Sequence, residues 1–268
     1  MSEHDFKPAV FLHIQKTAGT SIVDIARHAY GAEHVASHGD YLSDASAFCL
    51  DNIVDAKGAD SVAFQEKAFI SGHFGYGFAA DLINQRYSFT FLRDPIERIL
   101  SFYYFCRLRD PNEFEIYALS QQLSLDDFLK WGFQRPSVKA CIWNHQTWQL
   151  ANGFGHRNGR NIMSYEDSEI LALALKNLDR FSHIGFAETF EKDRDKILRD
   201  LGIPRPKGKV VSNANPGRPT ANQLPASTMS LLRELTKLDQ VVYEQAWRQR
   251  KTLTEKALFV IRKIVSKR

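Results

Sequence analysis

The chain has 268 residues, 44% of them hydrophobic and 25% charged, with a formal net charge of +4 at pH 7. That length can bury a sizeable core and that composition is globular, which excludes an intrinsically disordered protein. The mild positive balance admits an anionic ligand but lacks the concentrated basic bias of a dedicated nucleic-acid binder, so none is expected as a partner. The start, MSEHDFKPAVFLHIQKT, places acids and a lysine before a short apolar run, unlike a secretory signal. No run reaches the ~18–20 apolar residues of a membrane span. Cys49, Cys106 and Cys141 are odd in number and widely separated. They are expected as unpaired thiols in a reducing, cytoplasmic compartment.

In chain order, AVFLHI (9–14) reads as a buried parallel strand, followed by a turn and the helical pattern IVDIARHAY. AFISG (68–72) and YSFTFL (87–92) read the same way, the latter leading into a helix over PIERILSFYYF. Residues 137–151 and 167–178 look helical. FSHIGF (181–186) is a fourth strand, and AETFEKDRDKILRDLG an amphipathic helix closed by Gly202 and Pro204. The Pro-, Gly- and Asn-rich 203–225 must be a long loop. A helix near 226–249 puts Leu231, Leu235, Leu238, Val242 and Ala246 on one stripe. Strands alternating with helices predict an α/β fold with a largely parallel sheet flanked by helices. We divide the chain into one domain, 1–250, and a basic amphipathic helix, 251–268.

Ligands of open parallel sheets bind beyond the carboxyl ends of the strands, so the residues there carry the functional reading. After the first strand stand Gln15, Lys16, Thr17, Ala18, Gly19, Thr20 and Ser21. A lysine, a glycine permitting close approach and a helix N-terminus make a phosphate cradle. It is not the Walker pattern, because no GK[ST] occurs anywhere. The plain alternative is a strand–turn–helix with a surface lysine. After the third strand, Asp94 caps a helix with Pro95 in its first position and Glu97 placed to complete a capping box. Arg93 stands at the junction and Ser101 lies eight residues on. Two steps of four put Ser101 on the helical face pointing back towards Arg93, so both could share one phosphate. Alternatively, Arg93 pairs with Asp94 or Glu97. After the second strand, His73 sits among Gly72, Gly75 and Gly77. There it could act as a general base or be merely structural.

HIQKTAGTS followed by FLRDPIERILSFYY resembles the paired nucleotide-binding signatures of sulfotransferases that use 3′-phosphoadenosine-5′-phosphosulfate (PAPS). The likeness is closest to the carbohydrate-type branch that includes heparan sulfate 2-O- and 6-O-sulfotransferases. Many members have proline where this chain has Gln15, whereas the 6-O group is similar in carrying glutamine. SGHFGYGF, NHQTWQLANG, IGFAETFEKDRDKILRDLG and SNANPGRP leading into LDQVVYEQA also resemble family segments. The resemblance implies a P-loop-kinase-like α/β sheet and a PAPS co-substrate with no metal. It implies that Lys16, Thr17, Ala18, Gly19, Thr20 and Ser21 hold the 5′-phosphosulfate and that Arg93 and Ser101 hold the 3′-phosphate. Lys16 and His73 would be catalytic, His73 as base, on a carbohydrate or glycolipid acceptor. Glu66 or Glu188 would replace His73 if the strand register were different.

Rival readings are a nucleotide kinase or NTPase, disfavoured by the missing Walker lysine, and a nucleotide-binding protein without catalysis. His28, His34 and His38 with Asp40 match no familiar ligand spacing. Trp131, Phe133, Trp143 and Trp148 read as core and cleft wall, some of them suited to line a sugar site. Leu253, Ala257, Ile261 and Ile264 make an apolar stripe in the basic tail, fit either to dock on the domain or to meet an anionic membrane surface.

Overall fold

The computed structural model describes residues 6–37, 66–151, 165–206 and 219–265, except the side chains of 136–137 and 252–265. Five parallel strands form one sheet in the order β2-β3-β1-β4-β5: β1 Ala9–Leu12, β2 Val35–Ala36, β3 Phe69–Gly72, β4 Tyr87–Leu92 and β5 His183–Phe186. The expected α/β class with its parallel sheet is what the chain adopts. The expected strand starting at 181 begins two residues later, and β2, only two residues long, leaves no pattern to read.

Side chains alternate between the two faces of the sheet, and both faces are buried. Ala9, Phe11, Phe69, Phe89 and Phe91 turn to one side. There α1 (Thr20–Tyr30) contributes Ile22, Val23, Ala26 and Tyr30, and a helix over Phe190–Leu201 contributes Ile197, Leu198 and Leu201. Each large apolar side chain so buried stabilises by roughly 1.5–3 kcal/mol. Val10, Leu12, Ile70 and Leu92 turn to the other side. They meet α2 (Tyr76–Gln85) and α3 (Pro95–Cys106), with α4 (Glu115–Gln122), α5 (Leu125–Phe133), α6 (Pro136–Ile142), α7 (His145–Ala151) and α8 (Asp167–Leu178) beyond. The helix over Phe190–Leu201 is α9. It ends at Gly202, whose φ of 85° is the left-handed cap that only glycine adopts without penalty. Two further helices follow, α10 (Ala226–Leu235) and α11 (Lys237–Val265).

Two expected helices are each broken in two, and one residue ties the breaks together. The helix expected over 137–151 parts between α6 and α7 at Asn144, which sits at φ 43°. The helix expected over 226–249 parts between α10 and α11 at Thr236, whose hydroxyl turns back to the Leu232 carbonyl at 2.8 Å. Asn144 donates its N–H to the Leu235 carbonyl at 2.8 Å, while its Oδ1 accepts from Leu238 N at 2.9 Å and so caps α11. The stripe survives the break, because Leu235, Leu238, Val242 and Ala246 remain buried. The position 250/251, taken as the end of the domain, lies within α11, which runs on without interruption. Arg250 pins that helix to Asp193 at 3.0 Å and to the Thr189 hydroxyl at 2.8 Å. The side chains of Leu253, Ala257, Ile261 and Ile264, and residues Cys49, His38 and Asp40, lie outside the described residues.

Candidate active site

From β1 the chain leaves towards β2 and β3, and from β4 towards β5, so the crevice at the switch point lies beyond the carboxyl ends of β1 and β4. The loop after β1 is built for it. Lys16 (φ 67°) and Ala18 (φ 77°) both adopt left-handed backbone, and Gly19 returns to right-handed values at φ −80°. Such alternation turns successive N–H groups into one concavity, the geometry of an anion nest. Each non-glycine residue held there costs on the order of 1–2 kcal/mol. No side chain caps α1 and no acid stands in its first turn, so its first N–H groups face the same space.

The loop residues divide their work. Ala18 and Thr20 are exposed and Ser21 half-buried at the helix start. Thr17 is fully buried and its hydroxyl donates to the Ile14 carbonyl at 2.8 Å, tightening the turn. The sequence suggests that Gly19 admits a ligand. Its missing Cβ also makes room for the protein's own rings, since a Cβ there would strike the His13 imidazole and come within 2.6 Å of Phe11 Cε1.

Arg93 follows β4, and its guanidinium donates to the Lys16 carbonyl at 3.1 Å, joining the two strand ends. Asp94 caps α3 by accepting from Glu97 N at 3.0 Å, with Pro95 in the first turn. The reciprocal half of the expected capping box comes from elsewhere, for Asp94 N donates to Glu188 Oε1 at 2.8 Å. Ser101 is half-buried on α3, one turn before Phe105 on the same face. Over the Phe105 ring lies the Lys16 ammonium, 3.8 Å from the centroid, and the Arg109 guanidinium lies 4.3 Å from it. Sequence reasoning misses Arg109, because a lone arginine after a helix carries no signal.

Burial pulls the Lys16 ammonium from its ordinary value to about 8, and Arg93, Arg109 and Arg98 push the same way. Among the described residues, Cys106 acts on Lys16 in the opposite direction. Burial raises its thiol so far that it is neutral at working pH and gives no counter-charge. Lys16 therefore sheds its proton above about pH 8 in the ligand-free protein, and an anion must restore it. Affinity for adenosine 3′,5′-bisphosphate should fall as pH rises from about 8 to 10, with proton uptake visible when calorimetry is repeated in buffers of different ionisation enthalpy. Lys16→Arg should flatten that fall, because a guanidinium stays charged throughout. An equally steep fall in Lys16→Arg would assign the titration to another group. Linkage also fixes the sign for stability: the lowered value disfavours the ionised form in the fold, so this cost is present below about pH 8 and is relieved as pH rises towards 10.5.

His73 directly follows β3, as expected, and is half-buried. Its Nδ1 lies 2.6 Å from the His13 carbonyl oxygen. A carbonyl can only accept, so Nδ1 carries the proton and the lone pair of the neutral ring resides on Nε2. The His13 ring stacks on Phe11 at 4.7 Å and stands 4.6 Å from the His73 ring, linking the histidine to the loop beneath Gly19. Of the two alternatives, Glu188 stands beside Asp94 just after β5 and Glu66 beyond the far end of β3. Glu66 is exposed three residues before β3, whose four residues alone separate its amino end from the crevice by roughly 10 Å. The Glu188 carboxylate is engaged by Asp94 N.

Behind both strand ends lies α7, whose polar side chains are buried. Gln146 accepts from Arg93 N at 3.0 Å and donates to Arg93 O at 2.9 Å, clamping that residue's backbone from both sides. Gln149 donates to the carbonyls of His13 at 3.1 Å and Phe74 at 2.9 Å. Asp239 in α11 holds the helix itself, accepting from Thr147 N and Thr147 Oγ1 at 2.7 Å each and from Gln146 N at 3.3 Å. Arg98, fully buried, donates to the Cys141 carbonyl, and burial lowers it to about 10, still cationic at neutral pH. Among the aromatic residues noted in the sequence, Trp148 is core, Trp131 and Trp143 are half-buried and Phe133 is 42% exposed. His28 lies on α1 and His34 in a short turn, and among the described residues no three His, Cys, Asp or Glu side chains gather as metal ligands. No helix among them is long and apolar enough to cross a membrane.

An open parallel sheet whose switch-point crevice gathers cations, an uncapped helix start and a histidine is equipped to handle a highly charged group. The profile described as the sulfotransferase family matches residues 4–246, nearly the whole chain. The chain belongs to that family and is a transferase for sulfuryl groups. No curated protein matches it.

Proposed function

We propose that the protein transfers the sulfuryl group of PAPS to a hydroxyl of a carbohydrate acceptor, with His73 as general base. The observation that carries this reading is charge: Arg93 bonds the Lys16 carbonyl, Arg109 shares the Phe105 ring with the Lys16 ammonium, and buried Arg98 also acts on Lys16. Such a cluster is stabilised by a ligand with several negative charges, as a nucleotide with phosphate at both ends of its ribose has. The loop N–H groups from Ala18 to Ser21, with Lys16, would cradle the 5′-phosphosulfate. Thr17 would contribute its backbone, its hydroxyl being committed to Ile14. Arg93 and Ser101 would take the 3′-phosphate. PAPS supplies the activated sulfuryl group, leaving a phosphate as the S–O bond breaks. Lys16 would neutralise charge growing on that bridging oxygen while His73 Nε2 accepts the acceptor hydroxyl's proton. The acceptor class rests on the likeness of the two strand-end motifs to the carbohydrate-type branch.

Adenosine 3′,5′-bisphosphate at about a hundredfold excess over its Kd should stabilise the protein by about 2.7 kcal/mol, seen as several degrees in Tm. ATP with magnesium should do far less, because it places no phosphate at Arg93. Labelled PAPS incubated with polysaccharides, glycolipids and free sugars should then label a carbohydrate. Equal or greater stabilisation by ATP would transfer the reading to a kinase, and label on a non-carbohydrate hydroxyl would overturn the acceptor class alone.

A further inference from the structure

We propose that Gln146 and Gln149 are positioning residues, with α7 acting as a spacer that sets the donor's 3′-phosphate anchor and the histidine base at a fixed separation. The inference rests on the functional reading above. The two glutamines are three residues apart, on one face of one helix, and each serves a different strand end. Gln146 fixes Arg93 through both backbone groups of that residue, so the guanidinium leaves from a held Cα. Gln149 fixes the His13 carbonyl, the same oxygen to which His73 donates from Nδ1. That oxygen sets which ring nitrogen of His73 is basic, so the amide that holds it also sets where the base points.

The orientation of Gln149 is forced. Its nitrogen faces two carbonyl oxygens, which leaves Oε1 buried with no hydrogen-bond partner among the described residues. An orphaned acceptor in a fully buried side chain is costly, and an apolar residue of similar volume would avoid it. The donor is therefore what the position supplies. Nor does the helix rest on packing alone, since Asp239 accepts from the backbone at Gln146 and Thr147 and Asn144 caps α11 from the adjoining turn.

The test is a pair of near-isosteric variants whose defects should separate. Gln146→Met should raise the Kd for adenosine 3′,5′-bisphosphate about 10–100-fold, as loss of a held charge-assisted contact would. The Kd for adenosine 5′-phosphosulfate, which lacks the 3′-phosphate, should change less than about threefold. Gln149→Met should leave both Kd values within about threefold, but nitrogen NMR of the imidazole of His73 should show both neutral tautomers where the unaltered protein shows the Nδ1–H form. Should Gln149→Met not fold, Gln149→Asn, which keeps a donor of shorter reach, carries the same readouts. A folded Gln149 variant with an unmixed Nδ1–H tautomer, or a Gln146→Met protein that weakens both nucleotides equally, would overturn the assignment and leave α7 as core. Failure of the unaltered protein to bind adenosine 3′,5′-bisphosphate would instead strike the proposed function.

Discussion

Replacing His73 with alanine should cut turnover by roughly 10²–10⁴ while the Kd for adenosine 3′,5′-bisphosphate stays within a few-fold of the unaltered protein. The separation follows from the geometry. Nδ1 is spent on the His13 carbonyl at 2.6 Å, so the ring's basic nitrogen is Nε2, and the histidine stands at the end of β3 rather than in the nest after β1. Lys16→Ala should behave differently, losing turnover and affinity together, since its charge would meet both bound nucleotide and transition state. Transfer from labelled PAPS, scored on the acceptor found by the panel, measures both variants side by side. A folded His73→Ala protein turning over at near the original rate would remove the base assignment. The donor site would be unaffected by that result, and attention would pass to Glu188, which stands just after β5 beside Asp94.

Asp239→Ala should cost about 3–5 kcal/mol of stability, since it orphans the buried groups that donate to its carboxylate and removes the main charge opposing buried Arg98. Its carboxylate is 1% exposed and accepts three hydrogen bonds from Gln146 and Thr147. It also supplies the largest opposing charge on buried Arg98, which the substitution would leave uncompensated. Asp239→Asn keeps an oxygen for Thr147 and should lose less, the difference between the two variants reading the charge. Urea unfolding gives both numbers. A loss under about 1 kcal/mol for the alanine variant would show that Arg98 finds its compensation elsewhere.

The sheet and its strand ends are legible because buried parallel strands are short, continuous apolar runs, and the residue after each run is fixed by counting. That is why Lys16, His73 and Arg93 can be assigned to one crevice without structural information. Breaks in the helices are less visible. Asn144 and Thr236 interrupt good helical patterns, and the bonds that hold the first break reach far along the chain, 94 positions for Asn144 and Leu238. The one local sign is that asparagine tolerates positive φ. Gln146 and Gln149 give none, since a glutamine on a helix is ordinarily solvated and only tertiary structure buries it. His13 reads as a strand residue, and nothing in its neighbours announces that its carbonyl serves a histidine 60 positions later. At Gly19 the structure adds a reason for glycine that sequence cannot show, the His13 and Phe11 rings that a Cβ would strike.

The break before α11 has a consequence for how the chain becomes competent during synthesis. A nascent chain that has left the ribosome up to Leu235 already holds all five strands, the loop after β1, Arg93 and His73. It lacks Asp239, so Gln146 and Thr147 have no carboxylate to receive their N–H groups, and Arg98 is without its chief opposing charge. Domains generally fold as units during synthesis. On the proposed function, nucleotide binding should therefore switch on only as α11 emerges, because the contacts of Asp239 form last.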